Sequence, residues 1–314
     1  MTAAGDVLEL VRAPAALTVL GDTIAGGHAG GMRLAGRQWL LPLASVLLYS
    51  GGMALNDYAD RELDAVERPE RPIPSGRVPA RRALGIASAL MAAGVGLAAV
   101  GGGRRSLGVA APLVGAIVLY NTVAKDTAAG PASMAACRGL DVLMGAGGAR
   151  AALPAAATVA LHTAGVTATS QGEVHGGSVG TARAGLAITG VTALAAVAGI
   201  GTAAARTSVA RRRPETSGSG ASDSGRAHRV VSVLAAVAGA AAYLASTLPI
   251  QAKTLADPSA ANVRTATRAG IGAMVPLQAT LAARSGALGP AALLGGVDIA
   301  RRALSARRSR GDVT

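Results

Sequence analysis

The sequence contains no phenylalanine, and aromatic residues make up only 2% of its 314 residues. Charged residues are also scarce, at 15%, whereas soluble domains carry about 25%. Cys137 is the only cysteine, so the chain cannot form an internal disulfide. The first residues include Asp6 and Glu9 and lack the basic start of a secretory signal peptide. The shortage of charge argues against a soluble domain, and we expect the first apolar segment itself to direct membrane insertion.

Apolar residues make up 51% of the sequence and form long runs without charge. A membrane-spanning helix needs about 20 apolar residues, and the abundance of alanine and of 43 glycines suits helices that pack closely in lipid. We therefore expect an all-α integral membrane bundle of about nine transmembrane helices. The expected spans are residues 14–29, 39–55, 83–100, 107–123, a span starting near 130, 154–169, 184–205, 230–248 and 269–283, and a weaker apolar run follows at 287–297.

The basic residues lie mainly between the apolar runs. The net charge is +13, and only two of the thirty basic residues are lysines. Arginines between apolar runs are typical of the loops of membrane proteins, so we do not expect nucleic-acid binding. We expect residues 1–314 to form a single transmembrane domain, with a flexible loop rich in arginine, serine and glycine at 206–229 and a basic tail at 301–314.

An acidic segment directly follows the second apolar run. It reads Asn56-Asp57-Tyr58-Ala59-Asp60-Arg61-Glu62-Leu63-Asp64. At the end of a helix, Asp57, Asp60 and Asp64 would lie on one face, where three carboxylates converge and need a positive partner. Mg²⁺ prefers oxygen ligands and commonly joins carboxylates to substrate phosphates. The spacing therefore predicts a magnesium and diphosphate site. The alternative is a solvated acidic helix end that pairs with the arginines after it.

The pattern Asn56-Asp57-x-x-Asp60-x-x-x-Asp64 resembles the first aspartate-rich motif of the UbiA superfamily of intramembrane prenyltransferases, and the following segment 68–76 is similar to that family too. The resemblance implies Mg²⁺-dependent transfer of a prenyl group from a polyprenyl diphosphate to an aromatic or lipid acceptor. It also implies a multi-pass protein among the lipids of the cell membrane, with active-site loops facing the cytoplasm. Two other possibilities are a non-catalytic protein of the same fold that binds prenyl lipids, and a cation transporter that uses the same acids.

The resemblance also implies roles for residues around the acidic segment. Asn56 would assist the carboxylates, and Arg71 would stabilise the negative charge of the leaving diphosphate. Tyr120 and Lys125 follow the fourth apolar run and resemble a tyrosine and a lysine that contact the diphosphate in the family. The structural alternative is a tyrosine at the membrane interface and a lysine whose charged end reaches the lipid head groups.

Three ionisable residues lie within apolar runs. Asp22 interrupts the first predicted span, where it either lines a cavity or marks a break in the helix. Arg138 and Asp141 are three positions apart, so they either neutralise one another or line a cavity. As cavity residues, Asp22 and Arg138 would contact substrate. The run 137–145 resembles a UbiA subgroup that includes EboC-like proteins.

The segment after the sixth predicted span departs from the family pattern. Family members carry a second acidic pair there, whereas residues 170–177 contain only Glu173, together with His175. Glu173 would share the bound magnesium, and His175 would accept a proton from the acceptor group. The alternative is that both residues cap a loop. The missing acid leaves the second metal position and the substrate class open.

Overall fold

The computed structural model describes residues 3–16, 18–32, 34–198 and 220–311, and these residues form helices and turns without a strand. The α-helices, numbered in chain order, are α1 (Ala4–Leu10), α2 (Ala13–Ala16), α3 (Leu20–Ala29), α4 (Leu40–Ala59), α5 (Arg61–Glu67), α6 (Ala80–Leu119), α7 (Gly130–Gly145), α8 (Leu153–Ser170), α9 (Val179–Val197), α10 (Gly220–Ala256), α11 (Ala260–Arg284) and α12 (Leu288–Gly311). A π-helical turn, Tyr120–Ala124, follows α6. The predicted all-α fold is confirmed.

The chain divides into two compact units, residues 1–167 and residues 168–314. The first unit holds α1 to α7 and most of α8, and the second holds the end of α8 and the remaining helices. The aspartate-rich segment belongs to the first unit, whereas Glu173 and His175 belong to the second. The single domain predicted over the whole chain stays a prediction.

Five helical segments in the described part of the chain are long and apolar enough to cross a membrane. They are Gly36–Ala59, Ala80–Ala124, Arg150–Ser170, Val179–Val197 and Ser224–Ala256. Of the predicted span 184–205, residues 199–205 lie outside the described residues. Other predicted spans coincide with helices that are shorter, such as α3 and α7, or more polar, such as α11 with Arg264 and Arg268. These segments indicate a membrane protein, but the count of nine spans is not confirmed.

The helix α6 contains a sharp reversal. Gly103 adopts φ 68° and ψ −159°, a backbone region that is essentially restricted to glycine. The arms on either side correspond to the two spans predicted at 83–100 and 107–123. Gly103 therefore joins two apolar helices directly, and Arg104 and Arg105 follow it at the tip of the hairpin.

The two arms of α6 run along α4 in opposite directions. Gly51 of α4 contacts Met91 on the first arm, and the adjacent Gly52 contacts Ile117 on the second arm. Gly101, close to the reversal, contacts the beginning of α4 instead. Because both arms meet α4 near its carboxyl end, the tip of the hairpin lies at the opposite end of α4 from the aspartate-rich segment.

Helices α3 and α7 approach each other so closely that two positions require glycine. A Cβ atom added to Gly26 would overlap the carbonyl oxygen of Val142, and one added to Gly145 would overlap the carbonyl oxygen of Thr23. Small residues at such crossings are typical of helices packed in lipid. The contact fixes α3 against α7 and thereby positions the ionisable side chains that these two helices carry.

Replacing Gly145 with alanine should destabilise the first unit. The added Cβ would meet the backbone of Thr23, which cannot move aside as a flexible side chain can, and overpacking of this kind costs about 1–3 kcal/mol. The matched control is Gly115→Ala on the second arm of α6, where no atom lies within 4 Å of an added Cβ. Thermal unfolding in detergent should show a lower midpoint for Gly145→Ala than for the wild type and the control. Equal midpoints would contradict the close approach of α3 and α7.

Two segments of the second unit were singled out by their composition, a flexible loop at 206–229 and a basic tail at 301–314. Residues 206–219 of the predicted flexible loop lie outside the described residues, and residues 220–229 form the first turns of α10. The predicted basic tail is helical as far as it is described: residues 301–311 continue α12, and residues 312–314 lie outside the described residues. Alanine and arginine are strong helix formers, which explains why the basic segment 301–311 is helical.

Candidate active site

The aspartate-rich segment bends at Asp60, between two helices. The helix α4 ends at Ala59 and α5 begins at Arg61, with Asp60 at φ −86° and ψ 2°. Asp57 and Asp64 therefore lie on different helices, so the three carboxylates do not share one continuous helix as predicted. After the bend, Asp57 and Asp64 share Arg71, whereas Asp60 pairs with Lys125.

Two arginines bind the buried carboxylates of Asp57 and Asp64. Asp57 Oδ1 accepts hydrogen bonds from Arg12 Nη2 at 3.1 Å and from Arg71 Nη1 at 3.3 Å. The same Arg71 Nη1 donates to Asp64 Oδ2 at 2.7 Å, and Arg68 Nη1 lies 3.9 Å from the other oxygen of Asp64. Asp57 is 4% exposed and Asp64 is 2% exposed. Arg71 therefore contributes to neutralising two buried carboxylates, together with Arg12 at Asp57 and Arg68 at Asp64.

The third carboxylate, that of Asp60, is bound by Lys125 and Asn56. Lys125 Nζ forms an ion pair with Asp60 Oδ1, and Asn56 Nδ2 donates to Asp60 Oδ2 at 2.7 Å. The π-helical turn after α6 positions Lys125, whose backbone N–H donates to the Tyr120 carbonyl at 3.0 Å. Such turns are rare and often occur at functional sites. Sequence reasoning did not assign Arg12 to the site; the signal that could have found it is a lone arginine just before the first apolar run.

The three carboxylates do not converge as the spacing predicted. Within the described ranges, no group of three or more Asp, Glu, His and Cys side chains lies close enough together to hold a metal ion. Each carboxylate is paired with Arg12, Arg71 or Lys125 instead. The carboxylate and amide oxygens of the segment suit Mg²⁺ chemically, so the residue types fit the metal, but the ion would compete with these cations for the carboxylates.

The segment that carries Arg71 is anchored to the amino-terminal helix. Arg77 Nη1 lies 2.8 Å from Asp6 Oδ1 and 2.7 Å from Glu9 Oε2, and Arg77 Nη2 donates to the Glu70 carbonyl at 2.6 Å. Hydrogen bonding to Arg77 lowers the pKa of both carboxyl groups below their ordinary values, so both stay ionised at neutral pH. The helix α1 therefore holds in place the segment that positions Arg71.

An apolar cavity of about 60 Å³ lies next to the acidic segment in the first unit. Met53, one helical turn before the acidic segment, and Tyr120 line its near end. Apolar side chains such as Leu48 and Leu113 form its walls, and Arg138 reaches its far end. The structure thus brings the predicted site residues Tyr120 and Arg138 to one cavity.

Asp22 and Arg138 form a buried ion pair at the far end of this cavity. Arg138 Nε lies 3.0 Å from Asp22 Oδ2, and Arg138 Nη2 donates to Asp22 Oδ1 at 3.2 Å. Asp22 is fully buried in the first turn of α3, and the predicted span 14–29 is interrupted just before it, because α2 ends at Ala16 and α3 begins at Leu20. Among the described residues the ion pair found for Arg138 is with Asp22 and not with the nearer Asp141, whose carboxylate accepts a hydrogen bond from Ser45.

Glu173 and His175 lie in the turn between α8 and α9, in the second unit. The Glu173 carbonyl accepts a hydrogen bond from Arg264 Nη1 at 2.6 Å, and the Gly177 N–H donates to the Pro258 carbonyl at 2.8 Å. These bonds hold the turn against α11 and the connection before it. The His175 side chain is exposed. The contact of these two residues with metal or substrate stays a prediction.

The sequence was compared with known families and proteins. The profile of the UbiA prenyltransferase family matches residues 18–171. A digeranylgeranylglyceryl phosphate synthase of Methanopyrus kandleri is 45% identical over 118 residues, which cover 36% of this chain and 41% of that protein. A protein of the same name from Ignicoccus hospitalis is 43% identical over 119 residues, which cover 37% of this chain and 35% of the relative. The chain thus spans less than half the length of these relatives.

Two solved structures have a similar fold. A UbiA homolog from Aeropyrum pernix K1 has a TM-score of 0.59 at 16% identity, with 83% of this chain and 96% of the other chain covered. A structure described as giving insights into the biosynthesis of digeranylgeranylglyceryl phosphate synthase in membranes has a TM-score of 0.56 at 16% identity, with 91% and 98% covered. At this identity the likeness shows the fold alone.

The fold and the site define a helical membrane protein whose ion-paired carboxylates lie beside an apolar cavity. The residues that form this site come from α4, α5, the connection after α5, the π-helical turn and α7. Residues 18–171, which include the acidic segment and the cavity, belong to the UbiA prenyltransferase family. The assignment to a subgroup with EboC-like proteins stays a prediction.

Proposed function

We propose that the protein transfers a prenyl group from a polyprenyl diphosphate to an acceptor within the membrane. The observation that carries the proposal is the position of three carboxylates, each paired with Arg12, Arg71 or Lys125, beside an apolar cavity. Such a site can bind a charged diphosphate and an apolar chain at adjacent positions. The family match of residues 18–171 supports the same reaction.

Asp57, Asp60 and Asp64 would hold Mg²⁺, on which prenyltransferases of this family generally depend. Asn56 would add an amide oxygen, which accepts a hydrogen bond from Arg12 Nη2 at 3.5 Å. The bound ion would supply the Lewis acidity that makes diphosphate a better leaving group. Because the carboxylates are buried or half-buried, little reorganisation of solvent is needed when the charged donor arrives.

Arg12, Arg71 and Lys125 would bind the diphosphate oxygens. Phosphate oxygens would take over hydrogen bonds that the carboxylates receive in the structure. Guanidinium groups suit two-point contact with phosphate, whereas the ammonium group acts as a point charge. These contacts would stabilise the charge that develops on the leaving group. Tyr120, at the near end of the cavity, would donate a further hydrogen bond.

The cavity would hold the allylic carbon that becomes positively charged. The carbon–oxygen bond to diphosphate breaks with its electron pair on oxygen, and the acceptor forms the new bond to carbon and loses a proton. Apolar walls keep water from the reacting carbon, so that the acceptor captures it. The acceptor is aromatic or a lipid, and the names of the two relatives favour a lipid.

A transfer assay tests this proposal. Purified protein would be incubated with a radiolabelled prenyl diphosphate, membrane lipid extract and aromatic acceptors. We expect label in a product that contains both the prenyl group and the acceptor. Formation of this product should require Mg²⁺, so a chelator should abolish it. Unchanged donor, or release of prenyl alcohol without any coupled product, would contradict prenyl transfer.

A non-catalytic protein of the same fold that binds prenyl lipids is the second candidate. The observation that favours it is the single carboxylate, Glu173, within residues 170–177. Equilibrium dialysis with the same labelled donor separates the two candidates. A binding protein would retain the donor and yield no product, whereas the proposed enzyme consumes it.

Glu173 and His175 are proposed to act on the metal and on the acceptor, respectively. Glu173→Gln should raise the Mg²⁺ concentration for half-maximal activity by about 10-fold, because an outer ligand is lost. His175→Ala should lower turnover by about 100-fold, as for a lost general base, at an unchanged Mg²⁺ requirement. Activity measured against Mg²⁺ concentration for both variants checks this. If only His175→Ala shifted the Mg²⁺ dependence, the division of roles would be wrong.

We also propose that the segment 61–82 faces the cytoplasm. It carries six arginines, and basic residues in short loops favour the cytoplasmic side. In a Cys137→Ala background, a membrane-impermeant maleimide should label Ser75→Cys in inside-out vesicles. The matched control is Arg104→Cys at the tip of the α6 hairpin, which should be labelled only in right-side-out vesicles. Labelling of Ser75→Cys in intact cells would show that the segment 61–82 faces the outside of the cell and would contradict the proposed orientation.

A further inference from the structure

Four arginines lie together at the end of the first unit opposite the aspartate-rich segment. A Cβ atom added to Gly147, just after α7, would lie 3.3 Å from the Cβ of Arg105 at the tip of the α6 hairpin. One added to Gly101 would lie 3.2 Å from the Arg37 carbonyl oxygen. Arg150 follows Gly147 by three positions, or at most about 10 Å of chain. We call this group the basic patch; its members are Arg37, Arg104, Arg105 and Arg150.

The basic patch has no carboxylate beside it. All four residues are exposed, and the ion pairs and hydrogen bonds found among the described residues involve none of the four guanidinium groups. The segments that form this end, residues 34–39, 101–108 and 146–153, contain no aspartate or glutamate. Arginines at the other end are paired with carboxylates, namely Arg61, Arg68, Arg71 and Arg77. Within the described part of the first unit, the positive charge of the basic patch is therefore left for a partner outside the chain.

The length of α4 places the basic patch at the level of the lipid head groups. The helix has 20 residues, which rise about 30 Å, and this equals the thickness of the hydrocarbon core of a membrane. The basic patch and the aspartate-rich segment lie at its two ends and therefore at opposite membrane surfaces. Trp39, directly before α4, is exposed, as is typical of tryptophan at a membrane interface.

Exposed apolar side chains adjoin the basic patch. Val100 and Leu107 lie on either side of the hairpin tip, and Leu153 begins α8 three positions after Arg150. A phospholipid would place its acyl chains on these side chains and its phosphate on the guanidinium groups, which suit two-point contact with phosphate. Free phosphate would gain nothing from the apolar side chains. The combination favours a lipid as the partner.

We infer that the basic patch binds the phosphate group of an anionic phospholipid in the leaflet opposite the aspartate-rich segment. The backbone of the hairpin tip is fixed before the lipid arrives, because Ser106 Oγ donates to the Met144 carbonyl at 2.9 Å and Gly103 joins the two arms directly. Binding therefore orders side chains but little backbone, which lowers its entropic cost. The inference does not depend on the proposed prenyl transfer, since it concerns the other membrane surface and its test needs no substrate.

Fluorescence of Trp39, the only tryptophan in the chain, tests the inference. The full chain would be reconstituted in phosphatidylcholine bilayers with rising fractions of brominated phosphatidylglycerol or brominated phosphatidylcholine, whose bromine atoms quench a tryptophan that they contact. We expect phosphatidylglycerol to bind beside Trp39 at least about 5-fold more tightly, the contribution of one arginine near an anionic surface. Combining Arg104→Gln with Arg105→Gln should lower this preference at least about 5-fold. The control combines Arg81→Gln with Arg82→Gln, an exposed arginine pair at the other end of the first arm, and should keep it.

Each other outcome of the quenching experiment overturns the inference. Equal quenching by the two lipids would show that the basic patch does not select an anionic head group. A preference that the combined Arg104 and Arg105 variant retains would remove these arginines from the binding site. Inorganic phosphate should leave the preference unchanged relative to chloride at equal ionic strength, and its loss in phosphate alone would show a site for free phosphate. If the combined variant does not fold, Arg150→Gln replaces it, and an unchanged preference in that variant overturns the inference.

Discussion

Asp60→Asn should reduce prenyl transfer by about 100-fold to 1,000-fold, the loss that follows removal of one preorganised electrostatic contact. Asp60 forms an ion pair with Lys125 and accepts a hydrogen bond from Asn56. The variant keeps the size of the side chain but removes the charge that would attract Mg²⁺. Asp57→Asn should have a loss of the same order. The measurement is the initial rate of labelled product formation at saturating donor and Mg²⁺, with equal amounts of folded protein.

The matched control for Asp60→Asn is Glu62→Gln in the same segment. Glu62 is exposed, and the ion pair found for it is with its neighbour Arg61, at 2.9 Å. This variant should retain the wild-type rate, because an exposed ion pair contributes little. Full activity in Asp60→Asn would contradict the assignment of Asp60 as a ligand of Mg²⁺. A loss of equal size in Glu62→Gln would show that the segment tolerates no change of charge, whatever its role.

Arg71→Gln should impair both stability and transfer. Arg71 Nη1 contacts Asp57 at 3.3 Å and Asp64 at 2.7 Å, and both acids are buried. Removing one partner of a buried ion pair costs up to about 3 kcal/mol, and Arg12 and Arg68, which also contact these acids, should offset part of this cost. Thermal unfolding should therefore start at a lower temperature than in the wild type. Arg81→Gln, at an exposed position of α6, is the control and should unfold like the wild type.

A compensated variant tests whether the unpaired acids cause the loss of stability in Arg71→Gln. Combining Arg71→Gln with Asp57→Asn and Asp64→Asn removes the unpaired charges, so the midpoint of unfolding should return toward that of the wild type. Transfer should remain abolished, since the diphosphate has lost a cation and the metal has lost two ligands. Recovery of transfer along with stability would show that neither Arg71 nor these two acids is needed for transfer.

The main helix of the site was predictable from local sequence, whereas its end was not. The apolar run predicted a span at 39–55, and α4 extends from Leu40 to Ala59. The bend at Asp60 has no glycine or proline to signal it. The carboxylates beside the bend contact cations from other parts of the chain, and a pattern of carboxylates alone does not show where those cations lie.

Ion pairs between distant segments account for most of what sequence reasoning missed. Arg138 pairs with Asp22, 116 positions away, although the nearer Asp141 had the spacing of a helical pair. The crossing of α3 and α7 at their glycines decides this choice, and helix periodicity carries no information about which helices cross. Arg12, 45 positions from Asp57, was overlooked for the same reason.

The reversal at Gly103 restricts how this half of the chain can be edited. A peptide inserted at the tip would force a loop between two arms that now meet without one, and any residue other than glycine would be strained at φ 68°. Epitope tags, protease sites and fusion partners inserted at this tip should therefore disturb the packing of both arms against α4.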